Sequence, residues 1–350
     1  MHKDPRKINR RSFIHGCMAA AALAGCSKTN SAGEHVALPT EAQKAWKNSP
    51  SVSTVAIVPC PSYEEDPLPS LKKFAAELKL PDLSGKRAII KPNMVEYRPG
   101  KPVTTDPHAL KAAVELADHL GAKEIVVAEG PGHMRDTEFL LDATGLGAML
   151  NKLSLPFIDL NIDDIEKVEN KNGFSGLEFF YLPKTIVEAD AIISLPKMKT
   201  HHWVGMTASM KNFFGTVPGR KYGWPKNLLH VKGIPQCILD LVHIIKPTFA
   251  LVDAVVAMEG DGPINGTAKE MGFFVLGQDL AAVDATCART MTIDPESLTY
   301  ISRAGSVIGN ISLDSVRVIG SPIEKVRKEF ARPITFLHKE LLAQSDKQGS

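Results

Sequence analysis

Arg87-Ala88-Ile89-Ile90-Lys91-Pro92-Asn93, then Thr105-Asp106-Pro107 opening a helical pattern that Gly121 closes, then Glu124-Ile125-Val126-Val127-Ala128-Glu129: this stretch decides the fold. Two continuous apolar runs of strand length flank a helix-length segment, which describes a strand, a crossover helix and a second strand running parallel to the first. Asp106 stands where an N-cap side chain is needed, and Pro107 fills the first helical position, where a missing N–H costs nothing. Gly121 supplies the residue beyond the last turn. The unbroken apolar runs Ala88-Ile89-Ile90 and Ile125-Val126-Val127-Ala128 imply cover on both faces, as parallel sheets require.

The same grammar extends in both directions. Short apolar runs at residues 53–58, 87–90, 124–128, 157–160, 191–195, 249–252, 273–276 and 316–319 read as strands. Helical spacing appears at 107–120, 139–153, 234–245 and 280–291. The alternation predicts an α/β protein with a mainly parallel sheet and flanking helices, either as one body or as two lobes with the site between them. The α/β domain is expected over residues 51–332, with a C-terminal helix and polar tail at 333–350.

Ahead of this body lies a segment of different character. Asn9-Arg10-Arg11-Ser12-Phe13-Ile14 places paired arginines before an apolar run that ends at Gly25 and is too short and alanine-rich to span a bilayer. Residues 1–25 therefore read as a signal peptide, and the polar residues 26–50 as a flexible tether. Removing the leader takes away a net four positive charges from a chain of 41 Lys+Arg and 39 Asp+Glu, so the mature protein is slightly acidic. A basic field for nucleic acid is thereby excluded. Of five cysteines, Cys17 leaves with the leader, and Cys26 follows Leu23-Ala24-Gly25. Cys60, Cys237 and Cys287 remain, with no C-x-x-C spacing, and buried free thiols are expected.

Ligands of an open α/β sheet sit outside the carboxyl ends of its strands, so the residues after each strand carry the functional reading. Lys91-Pro92-Asn93, Glu129-Gly130-Pro131-Gly132-His133, Pro196-Lys197-Met198-Lys199-Thr200-His201-His202 and Asp253 with Glu259-Gly260-Asp261 all fall there. Lys197 and Lys199, two apart, would share one side of a continued strand and leave Met198 on the other. With Lys91 they predict a cationic pocket for a carboxylate or phosphate. His201 and His202 are expected to diverge, so that at most one faces the centre. Asp253, Glu259 and Asp261 are candidate ligands of a hard cation. No phosphate-cradling loop and no nucleophile elbow occurs.

Leu23-Ala24-Gly25-Cys26 resembles the lipobox of exported lipoproteins, and the paired arginines resemble a twin-arginine signal. Those resemblances imply the twin-arginine translocase and lipoprotein-processing enzymes as partners and lipidation at Cys26. They further imply a location on the periplasmic or cell-surface side, with the lipid as the only membrane contact. Lys91-Pro92-Asn93, Thr104-Thr105-Asp106-Pro107, Pro196 to His201, Met210-Lys211-Asn212-Phe213-Phe214-Gly215 and Glu259-Gly260-Asp261-Gly262-Pro263 resemble the family known as domain of unknown function 362. Some of its members carry a ferredoxin segment; its cysteines do not occur here, so no iron–sulfur cluster is expected. A narrower similarity joins His201-x-x-x-Gly205-x-x-x-x-x-Lys211, Pro218-Gly219 and His230 to the nickel-pincer lactate racemases. It implies that Lys211 carries a nickel pincer, His230 ligates the metal and His201 moves protons. Ser209-Met210 stands where those enzymes have two glycines.

Two functional classes follow. One is an enzyme that binds an anionic small molecule through Lys91, Asn93, Lys197, Lys199, Lys211 and Asn212, with His201 or His230 exchanging protons. The other is a lipid-tethered binding protein that holds an anionic ligand or a metal-bearing cofactor in the same pocket without reaction.

Overall fold

The computed structural model describes residues 36–132, 136–224 and 226–336. Arg10, Arg11, Cys26, His133 and the tail from residue 337 lie outside the described residues. The strands are β1 (Ser53–Pro59), β2 (Arg87–Pro92), β3 (Glu124–Glu129), β4 (Phe157–Asp159), β5 (Ile165–Glu169), β6 (Phe179–Pro183), β7 (Ala191–Leu195), β8 (Lys197–His201), β9 (Gly205–Thr207), β10 (Phe249–Glu259), β11 (Thr267–Gly277) and β12 (Val316–Gly320). One large sheet runs β12-β1-β11-β10-β7-β2-β3-β4. Along this path only β11 is antiparallel to its neighbours, so the sheet is mainly parallel as expected. All eight strands expected from the sequence are the eight of this path.

Alternation along the strands shows why the apolar runs are continuous. Val55 and Ile57 of β1 and Ile89 of β2 face one core, whereas Ala56, Val58, Ala88 and Ile90 face a second core on the opposite side. The first core is closed by helices Ile234–Ile245, Leu280–Thr290 and Thr299–Val307, and the second by Leu68–Leu78, Pro107–His119 and Leu146–Leu153. One sheet covered on both faces, not two lobes, is the observed arrangement. No helix among the described residues is long and apolar enough to cross a membrane.

Three expectations change. The single helix expected over 139–153 is two helices, Thr137–Ala143 and Leu146–Leu153, because Gly145 adopts φ +76° between them. The tether expected over 26–50 is not loose from residue 36 onward. Val36 is buried, Gln43 donates to the Asn172 carbonyl and Lys47 to that of Gly305, and Trp46 stacks on His243. Thr40 and Gln43 form a reciprocal capping box that starts a helical turn there. The third change concerns the ends of β7 and β10. Pro196 interrupts β7, and the chain re-enters the sheet as β8, pairing Lys197 with Asp253 and Lys199 with Met258 of β10.

Candidate functional site

The carboxyl ends of β2, β3 and β8 open into a cavity of about 310 Å³. Lys199, His201, His202, Trp203, Lys211, Lys226 and His230 contribute to its wall, together with Asn93, Glu129 and Asn212. A larger cleft of about 780 Å³ lies at the amino ends of the strands, against Trp46 and His243. Its carboxylate, Asp279, already accepts from Ser53 and the backbone of Ala281 and Asn310. The smaller cavity concentrates the charge and is the candidate site.

Each lysine has a different fate. Lys91, fully buried, forms an ion pair with Glu129 and also donates to the Asn212 side-chain oxygen at 3.2 Å and the Pro92 carbonyl at 3.1 Å. Its three hydrogens are thereby used, so the expectation that Lys91 is a free anion-binding cation is corrected: it is a buried structural cation beneath the cavity. Asn212 returns a hydrogen bond to the Lys91 carbonyl at 2.9 Å and so fixes the segment that bears Lys211. Gly215 lies against this pair, and a Cβ there would collide with the Glu129 carboxylate and the Lys91 amine.

Lys197 is also spent. Its amine donates to Asp253 at 2.6 Å and to the Tyr63 hydroxyl at 2.7 Å, and it lines a separate cavity with Tyr63 and Asp106. Tyr63 in turn donates to Asp253 at 2.7 Å. Asp253 is thus the counter-ion of a buried lysine and not a metal ligand. Glu259 pairs with Lys269 at 3.0 Å and accepts from the Ala331 N–H, while Asp261 accepts from the Ile334 N–H. Those two acids fasten the C-terminal segment across β10. Asp253 and Glu259 also stand six residues apart in one strand, about 20 Å by strand geometry. Among the described residues no group of three histidine, cysteine or acidic side chains is placed to hold a metal.

Lys199 donates to the Asn93 side-chain oxygen at 2.6 Å and to the Val103 carbonyl at 2.7 Å, both neutral acceptors. Burial, reinforced by the nearby charges of Lys211 and Lys197, pushes its pKa well below the usual lysine range. Lys226, which the sequence reading missed, sits at φ +69° and donates to the carbonyls of Gly130, Phe214 and Gly215. Burial brings it down to about 7. Lys211 differs from all of them. Its amine makes no hydrogen bond or ion pair with the described residues; its contact is the face of the Phe214 ring, 4.0 Å to the centroid. Burial first and the Lys91 charge second lower it to about 7. Ser209 and Met210, immediately before it, are held by Asp284 of the helix Leu280–Thr290 through both backbone N–H groups, at 2.7 and 3.3 Å, and the Ser209 hydroxyl.

The histidines sort by tautomer. His201 Nδ1 accepts from the Trp203 N–H at 3.1 Å, which leaves its proton on Nε2. His230 lies near the Lys226 carbonyl through Nδ1, 3.2 Å away, which leaves Nε2 with a free lone pair. Burial lowers both below the usual histidine value, His201 strongly, and the charge of Lys211 adds to each. His201 is therefore a neutral donor and His230 a neutral acceptor, competent as a base or as a metal ligand. His201 and His202 do not diverge as expected: both line the cavity, with ring centroids 5.0 Å apart. The turn at 202–204 breaks the strand and removes the period-two alternation. Trp203, half exposed, caps this side, its ring 5.0 Å from that of His230.

These shifts predict the pH profile of stability. In the unfolded chain Lys211 and Lys226 stay protonated to about pH 10, but in the folded chain they release protons near 7. The unfolded state then binds more protons, so stability rises as pH increases from about 7 toward 10. Asp284, raised by burial to about 7, does the opposite. The folded chain keeps its proton where the unfolded chain has shed it, so the Asp284 contribution falls between about pH 4 and 7, against an opposite contribution from the lowered His201 and His230. Urea midpoints across this range should show Asp284→Asn flattening the lower arm alone.

The molecule is thus a doubly covered, mainly parallel α/β protein with a lysine-rich, histidine-lined cavity at its strand ends. The family model described as Domain of unknown function (DUF362) matches residues 89–289, and the chain belongs to that family. A thylakoid-associated protein of Synechocystis sp. is 26% identical over 221 residues, which cover 61% of this chain and 65% of the relative. Among solved structures, the lactate racemase apoprotein of Thermoanaerobacterium thermosaccharolyticum is similar over 67% of this chain and 57% of its own, with 14% identity and a TM-score of 0.39. A Thermotoga maritima protein is similar over 66% and 59%, with 13% identity and a TM-score of 0.36.

Proposed function

We propose that the mature chain is an exported enzyme, lipid-anchored at Cys26, that binds an anionic small molecule at Lys199 and Lys211, beside the pinned Lys226, and moves a proton through His230. The observation that carries this reading is a charge imbalance. Three lysines line the cavity, and Glu129, the carboxylate in its wall, is already committed to Lys91. An anion supplies the missing negative charge and favours the protonated amines. Because two of those amines have pKa values of about 7, binding at mildly alkaline pH should take protons from solution. The free Nε2 of His230 favours an enzyme over a binding protein that lacks reaction, since binding alone needs no base.

Calorimetric titration of the mature chain with oxalate, in two buffers of different ionisation enthalpy, tests this directly. Saturable heat that differs between the buffers is expected. Absence of saturable binding would remove the anion reading.

A second reading, a nickel-pincer racemase or epimerase, rests on two observations. Among the described residues the Lys211 amine has no hydrogen-bond partner and His230 Nε2 none either, and both residues line the cavity. Those two residues fit attachment and ligation respectively, and the bound group would supply hydride-accepting chemistry. This chain would contribute His201 as a donor and the three lysines as charge. Intact mass and elemental analysis of protein purified through its own export route separate the readings. Cleavage before Cys26 with added diacylglycerol is expected. Extra mass on Lys211 with stoichiometric nickel would select the racemase-like reading, and a chain that keeps its leader would remove export.

A further inference from the structure

The geometry points to Lys211 as a nucleophilic amine that forms an imine with the carbonyl of a small 2-oxo acid held in this cavity. The inference rests on the anion-binding reading and adds a reaction class to it. An amine kept only for its charge needs no freedom to move. Lys91, Lys199 and Lys226 are pinned, by three, two and three acceptors respectively. Lys211 is not, although Asp284 holds the backbone of Ser209 and Met210 before it, the Asn212 side chain after it is tied to the Lys91 carbonyl, and its own side chain rests on Phe214.

An amine partly withdrawn from water beside other lysines is an arrangement that leaves a lysine neutral and reactive near neutral pH. Around it stand the partners that a 2-oxo acid needs. Lys199 and the Nε2–H of His201 can hold a carboxylate, and Met94, Val95 and Ile264 give a short apolar wall for a side chain of a few carbons. A cavity of about 310 Å³ admits such a molecule with some water and little more.

The step balances with no oxidant or reductant. The Nζ lone pair attacks the carbonyl carbon and a C–N bond forms as the π pair moves to oxygen. His230 Nε2 relays protons from the nitrogen to that oxygen. The C–O bond then breaks, and the two amine hydrogens leave with the oxygen as one water, giving C=N. His201 and Lys199 act as donors to the carboxylate throughout.

The test uses the mature chain, glyoxylate and cyanoborohydride, which reduces the imine to a secondary amine carrying one carboxymethyl group, followed by peptide mapping. Near pH 7 about half of Lys211 is unprotonated, whereas an ordinary lysine is neutral in roughly one molecule in a thousand. Lys211 should therefore be modified on the order of 500-fold faster than surface lysines. The rate should level off above about pH 8 instead of rising toward pH 10. Oxalate, which has no ketone or aldehyde, should slow the reaction, and Lys211→Arg should show no adduct at that position while staying folded by circular dichroism. Adducts scattered over surface lysines, or an adduct on Lys211 that oxalate does not suppress, would overturn the inference. So would a Lys211 that already carries another group. Oxalate binding without any adduct overturns the imine and leaves the anion reading intact; no oxalate binding removes both.

Discussion

Glu129→Gln is expected to destabilise the folded chain by about 3–5 kcal/mol, the cost of stranding a buried cation. Lys91 and Glu129 are 0% and 2% exposed at their side chains, so water cannot replace the lost carboxylate. The remaining acceptors, Asn212 and the Pro92 carbonyl, are neutral. Lys91 already holds its proton less firmly than a free lysine because burial outweighs the pull of Glu129. In the variant it can escape by deprotonating, which caps the cost near 4–5 kcal/mol at pH 7 and lowers it as pH rises. Lys91→Met alone should cost a similar amount by burying an unpaired carboxylate. Lys91→Met with Glu129→Leu should recover most of the loss, because both desolvation penalties vanish together. Urea midpoints of the three variants measure this. A single variant within about 1 kcal/mol of the parent would show that the pair is not the buried strut described above.

Lys211→Met is expected to move stability and binding in opposite directions. The amine has no acceptor among the described residues, and burial together with the Lys91 charge opposes its protonation. Removing it relieves that opposition and should stabilise the fold by on the order of 1–3 kcal/mol at pH 7, less than the full shift implies because cavity water screens the charge. The same change should weaken oxalate binding about 10–100-fold, the worth of one charge-assisted hydrogen bond. Such a trade is expected where a strained group is retained for chemistry. A variant that loses stability and keeps oxalate affinity would place Lys211 among the structural lysines.

The contrast between Lys91 and Lys211 marks the limit of what a sequence displays. Lys91 stands two positions before Asn93 near the end of β2 and Lys211 one position before Asn212, and both read as pocket cations. Their difference lies in Glu129, thirty-eight positions from Lys91, whose carboxylate reaches one amine and not the other. Lys197 was drawn away in the same manner by Asp253 and Tyr63. Lys226 carried no signal at all. It follows Trp224-Pro225 in the sequence, and what makes it part of the site is a cage of three backbone carbonyls from Gly130, Phe214 and Gly215. Cys60, Cys237 and Cys287, by contrast, are buried free thiols, as expected from their lack of C-x-x-C spacing.

By itself, the amino-acid sequence determined the eight strands of the main path, the parallel crossover at residues 87–129, the rim at which the polar residues collect and the family. These depend on apolar period, caps and glycines, which are local and recur whatever the distant partners are. Only the tertiary structure decided which lysine is charged, which is pinned and which is free, and that Asp253, Glu259 and Asp261 are fastenings and not a metal site. The state of a buried ionisable group is set by desolvation and by charges within a few ångströms, and those neighbours come from strands and loops far apart along the chain.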